Sequence, residues 1–148
     1  MLFAAVFVLL AVAPSAFGGG RTSAQASLLQ AVNAARAAHG LRPLRLDAAL
    51  DRAAGAHSAE MLRGNDFSHG DFAGRMASFH LAGSLGENLA WATGSAANAR
   101  LIVHMWLTSA EHRANLLRPG FHRIGLGLAR GTFLGQGNAT VVTADFGS

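Results

Sequence analysis

The hydrophobic pattern changes period along this chain, and that change limits the folds open to it. Ile124, Leu126 and Leu128 alternate with Gly125 and Gly127, and Val142, Ala144 and Phe146 repeat the period of two, the mark of half-buried strands. Upstream the period is helical. Leu28, Val32, Ala35 and His39 share one face of a helix predicted over 28–39, opened by the capping-box pattern Ser27-Leu28-Leu29-Gln30 and stopped by Gly40. Leu50, Ala54, His57 and Met61 share a face of a second helix, which Asp47 caps and which ends near Gly64. A third run starts at Ser95 with Ala99, Ile102, Val103, Trp106 and Ala110 on one face; Ser109 then opens a short turn through Leu117 that Pro119-Gly120 ends. Helices first and strands last, without regular βαβ alternation, predict an α+β domain. Its helices pack on a small antiparallel sheet, whose two strands are joined by a glycine-rich connection over 131–138.

The stretch from Asn65 to Gly94 has no clear period and holds glycines at 70, 74, 83 and 86. It reads as a loop region. Loops set on a rigid scaffold often carry function, and this one contains Phe67, His69 and the segment Gly86-Glu87-Asn88-Leu89-Ala90-Trp91.

Residues 1–26 read as a signal peptide or N-terminal apolar anchor. Met1 to Phe17 form an uncharged apolar run, slightly short for a membrane span and followed by small residues, so cleavage is expected near Ala24 or Ala26. No Lys or Arg precedes the run, so an uncleaved, membrane-anchored form is the alternative. Residues 27–148 are enough for one domain and too few for two. The expected location is secreted, either extracellular or periplasmic. The chain has no cysteine, which excludes disulfides, thiol catalysis and Cys-ligated metals. Its basic residues are all arginine, scattered, with no run of three and no interleaved aromatics; the net charge of +4 therefore gives little support for nucleic acid as a partner.

Glu87 lies among Leu85, Leu89 and Trp91, so its carboxylate needs hydrogen-bond donors, a cation or a proton. Histidine is the obvious partner type. His69, after Phe67-Ser68, and His112, in Ser109-Ala110-Glu111-His112-Arg113, are in settings that suggest a site. Converging, the three open three chemistries. Two imidazoles and a carboxylate can hold a divalent metal such as zinc with water in the fourth position, a His/Glu pair can move protons, or His112 can activate Ser109 in a hydrolase. Against these stand plainer roles. Glu87 and Asn88 can satisfy loop backbone groups, Ser109 can cap a helix, and His57 reads as a hydrogen-bonded core histidine. His39, His80, His104 and His122 read as surface residues, and Trp91 and Trp106 as core. Gly125-Leu126-Gly127 fails as a dinucleotide fingerprint because Gly131 comes one position late. Asn138-Ala139-Thr140 is a glycosylation sequon only in a eukaryotic secretory pathway.

In order and spacing, the segments at 28–61, Phe67-Ser68-His69, the 86–91 segment, 106–117, 121–129 and 141–147 resemble the CAP superfamily of SCP-like extracellular proteins, in its short bacterial form. The resemblance implies export and a three-layer α-β-α sandwich with a central antiparallel sheet. It also implies a cavity lined by two histidines and two glutamates, of which His69, Glu87 and His112 match three. The fourth position is Ser109 here, and Glu111, about 200° further round a helix, does not inherit its role. Some relatives bind metal through the paired histidines, which here makes His69 and His112 the metal candidates and Zn2+ the cofactor to test. Relatives bind sterols or other lipids, act on membranes or cell walls, block channels, or in isolated cases act as proteases. The Cys-rich extension of the toxin-like branch is missing. The expected function is binding of a lipid, sterol or cell-envelope ligand at a cleft of His69, Glu87 and His112, with Asn88 and Ser109 beside it. A metal-dependent or Ser/His hydrolase and a structural or adhesion module are the alternatives.

Overall fold

The computed structural model describes residues 23–148. The apolar run Met1 to Phe17 lies outside the described residues, whereas Ala24 and Ala26, near which cleavage is expected, fall in the first turn of the first helix. Helix α1 spans Ser23–Ala38, followed by the short strand β1 (Arg45–Leu46), α2 (Ala48–Gly64), α3 (Phe72–Ser78), β2 (Leu85–Thr93), α4 (Ala99–Thr108), α5 (Ala110–Leu116), β3 (Arg123–Phe133) and β4 (Gln136–Gly147). The four strands form one sheet in the order β1-β3-β4-β2, antiparallel except for the β1–β3 pair. No helix among the described residues is long and apolar enough to cross a membrane.

The alternation in β3 and β4 sorts the molecule into three layers. Ile124, Leu126, Val142, Ala144 and Phe146 face α1, α4 and α5, where Leu28, Val32, Ile102, Trp106 and Leu116 complete the main core. The opposite face lies against α2 and α3: Leu89, Val141 and Phe133 meet Met61, and Ser58 donates to Thr143 Oγ1 at 2.9 Å. Gly125 and Gly127 allow this second contact. A Cβ on Gly125 would stand 2.0 Å from the Leu50 carbonyl carbon, and one on Gly127 2.1 Å from the Ala54 carbonyl oxygen. The helix backbone therefore rests directly on the strand. On the other side the buried Arg36 donates to the carbonyls of Arg42, Leu116, Arg118 and Phe121, tying α1 to the segment after α5. Burial holds its pKa below the usual arginine value.

Several sequence expectations need correction. Helix α1 begins at Ser23 rather than 28, and Ser27 is inside it with its hydroxyl on the Ser23 carbonyl; the Ala-rich lead-in is helix-forming enough to override the capping pattern. The supposed loop from Asn65 to Gly94 contains α3 and the nine-residue strand β2. Residues 87–90 are buried on both faces of the sheet, so the polar alternation that reveals a half-exposed strand is missing. The connection at 131–138 is mostly strand: the turn is Leu134-Gly135, with φ of 48° and 77°, as a tight hairpin that follows strand twist requires. Helix α2 agrees with expectation, with Asp47 Oδ1 accepting from the Ala49 and Leu50 amides and Asn65 in the left-handed region just past its end.

Candidate functional site

Glu87 enters the site from β2 with its side chain on the α2 face, opposite Asp145 of β4. Its two oxygens go to different partners. Oε1 accepts from His69 Nδ1 at 2.7 Å, and Oε2 pairs with Arg75 of α3. His57 of α2 closes the back, its Nε2 3.9 Å from Glu87 Oε2 and 3.0 Å from the Ser68 carbonyl. The Glu87 side chain is 3% exposed and that of His69 57%, so a buried carboxylate holds an imidazole that faces solvent. An acceptor at Nδ1 fixes the ring proton there and leaves Nε2 free to bind. Arg75 also donates to the His69 carbonyl, and Asp71 caps its helix by accepting from the Gly74 amide, so α3 fixes the position of His69 as well as its charge partner.

Asn88 points to the other face of the sheet. Its amide donates to the His112 carbonyl at 2.9 Å, while Asn115 donates to Asn88 Oδ1 and to the Glu87 carbonyl. Helix α5 is thereby laced to the strand that carries Glu87, which makes Asn88 a positioning residue. The His112 ring is half-buried. Burial first, and the charge of His69 second, lower its pKa, while Glu111 pulls the other way. The charge of His69 thus reaches the His112 ring. Ser109 is the junction of α4 and α5. Its hydroxyl makes neither a capping bond nor a bond to His112, so the expected side-chain cap is missing and no Ser/His nucleophile pair is assembled. The chain bend there also turns Ala110 outward.

Sequence reasoning misses Arg75 and Asp145 altogether and assigns His57 to the core without connecting it to the site. Asp145 is fully buried and neither of its oxygens meets a donor among the described residues. Burial, then the charge of Glu87, push its carboxyl up to about 8, with Arg75 opposing. Burial and the facing Glu87 carboxylate both favour the protonated, neutral form of Asp145. A signal for this existed: Asp145 shares its strand face with Thr143 and Val141, an ionisable residue in a row that faces inward.

Among the described residues no three His, Asp or Glu side chains are grouped to hold a metal ion. Both Glu87 oxygens are engaged, one by His69 and the other by Arg75.

Comparison with known proteins gives a consistent picture. An uncharacterised protein of Bacillus subtilis, YkwD, is 34% identical over 106 residues, 68% of this chain and 40% of its own length. The uncharacterised membrane protein YlbC of the same organism is 32% identical over 118 residues, 74% of this chain and 33% of its own. The chain thus spans well under half the length of these relatives. Among solved structures, an extracellular protein of Bacillus anthracis containing an SCP domain superposes with a TM-score of 0.68 at 26% identity, covering 80% of this chain and 38% of that one. An outer surface protein of Borrelia burgdorferi shares the fold at 19% identity, with a TM-score of 0.69 over 82% of this chain and 89% of its own. Residues 29–146 match the cysteine-rich secretory protein (CAP) family, and this chain, though it has no cysteine, belongs to that family.

Proposed function

We propose that this is an exported ligand-binding domain whose cleft presents His69, oriented by Glu87, together with His112 to a cell-envelope or other extracellular ligand. The observation that carries the reading is the pairing of an exposed imidazole with a buried carboxylate that is itself clamped by Arg75. Holding a solvent-facing ring this firmly costs side-chain freedom in advance, and a role in binding outside the fold explains why it is held. The extracellular SCP-domain protein of B. anthracis supports export. A hydrolase of the Ser/His type has no support from Ser109, which makes no bond to His112.

Zinc at His69 and His112 is a narrower form of the proposal. Its donors would be the two imidazoles with water completing the shell, and Glu87 at Nδ1 is the kind of outer carboxylate that commonly backs a metal-bound histidine. Bound there, the ion would supply a Lewis acid. With two protein donors, its affinity is expected to be weak. Calorimetry on the 148-residue chain should give about one equivalent of zinc, lost in the His69→Ala/His112→Ala variant, while metal-free stability changes by about 1 kcal/mol or less because both rings are at least partly exposed. Undiminished zinc binding by the double variant would remove the metal from the proposal. A collapse of stability without any zinc binding would instead make the cluster structural.

A further inference from the structure

Away from the His69 cleft, a hollow of about 580 Å³ opens at the β1 edge of the sheet, lined by Arg42, Pro43, Arg45, Leu46, His122 and Arg123. Its backbone is fixed from several directions. Arg45 and Arg123 are register partners in the parallel β1–β3 pair. The Arg45 amide donates to the His122 carbonyl, the Asp47 amide donates to the Ile124 carbonyl, and buried Arg36 holds the Arg42 carbonyl at 2.9 Å. Pro43 stiffens the intervening chain. The side-chain charges are not balanced in the same way. Arg123 pairs with Asp47 at 3.0 Å and donates to the Ser148 carbonyl. Arg42 and Arg45 are exposed, and among the described residues no carboxylate forms an ion pair with either. Of the three arginines on this rigid platform, only Arg123 has a carboxylate partner among the described residues, and His122 adds a ring N–H donor.

We propose that this hollow is a second binding site and takes a phosphate ester. Guanidinium forks match the oxygens of a tetrahedral phosphate in bidentate fashion and hold their charge at any physiological pH. The hollow is of small-molecule size and far larger than a phosphate alone, which leaves room beside Pro43 and Leu46 for the alcohol part of the ester, as in a polyol phosphate or a phospholipid headgroup.

The test uses the full chain and sn-glycerol 3-phosphate, titrated by calorimetry against sodium chloride of equal ionic strength. Saturable binding to the parent is expected, about tenfold or more weaker in Arg42→Gln/Arg45→Gln, a loss that corresponds to one or two charge-assisted contacts. The two side chains are exposed, so the melting temperature should stay put. The His69→Ala/His112→Ala variant should bind the phosphate as the parent does, which separates this site from the cleft. Equal heats in chloride, or equal affinity in the arginine variant, would overturn the proposal. Sedimentation with phosphatidylglycerol and phosphatidylcholine vesicles then distinguishes the source. Capture by phosphatidylglycerol that needs Arg42 and Arg45 identifies a lipid headgroup. Its absence, with glycerol phosphate still bound, identifies soluble phosphate esters.

Discussion

Replacing Gly127 with alanine is expected to destabilise the native state by about 3 kcal/mol or more, for the sake of one methyl group. The added Cβ would stand 2.1 Å from the Ala54 carbonyl oxygen, 2.3 Å from its carbon and 2.6 Å from the Gly55 nitrogen. All three are backbone atoms of α2, so no side-chain rotation relieves the clash, and the helix must lift off the sheet. Gly137→Ala serves as the control: nothing lies within 4 Å of its Cβ, and a change within about 0.5 kcal/mol is expected. Urea midpoints followed by circular dichroism read both variants. If Gly127→Ala unfolds at the parent's midpoint, the helix is not seated on the strand as described. Because α2 carries His57 against Glu87, the same substitution should also weaken any binding at the cleft.

Stability should fall as pH rises from about 4 to about 8, and Asp145 is the reason. Its folded pKa, pushed up to about 8, lies above the ordinary aspartate value of 3.8. Within that window the native chain keeps a proton that the unfolded chain has released, so the Asp145 contribution is fully present below about pH 4 and lost as pH passes about 8. The slope approaches about 1.4 kcal/mol per pH unit and the whole window is worth on the order of 5 kcal/mol. His112 works in the opposite sense. Its lowered folded pKa makes stability rise with pH up to the ordinary histidine range, so the parent's profile is the sum of two opposed trends. Asp145→Asn separates them, since an amide of the same size does not titrate. The variant should match the parent near about pH 4.5 and exceed it by several kcal/mol near about pH 8.5, as read from denaturant midpoints. Parallel profiles for the two proteins would mean that Asp145 does not keep its proton through this window.

How much of this was legible depended on whether the information was local. Helix α2 was readable because its cap, its apolar face and its stop all lie within its own sequence, from Asp47 to Asn65. Strand β2 was not. Glu87 to Ala90 are buried on both sides by layers far away in sequence, and only pairing with β4 makes the segment a strand. The site divides in the same way. Resemblance to the CAP family marks His69, Glu87 and His112, and the structure adds a direct bond between the first two. Arg75 and Asp145 left no comparable trace, since one sits on a short helix hidden among glycines and polar residues and the other meets Glu87 only through sheet register. Ser109 shows the limit of a local rule: a serine in capping position whose hydroxyl does not cap.

The division of β4 into two rows also bears on how such a protein can change over time. Phe146, Ala144 and Val142 serve the dry layer on α1 and α4, while Asp145, Thr143 and Val141 face α2 and the polar cluster. Neighbouring residues therefore answer to different layers of the fold. Changes at the odd positions alter the packing and charge between α2 and Glu87, and changes at the even positions alter the packing on α1 and α4. The same separation lets an engineer vary one layer of the core without touching the other.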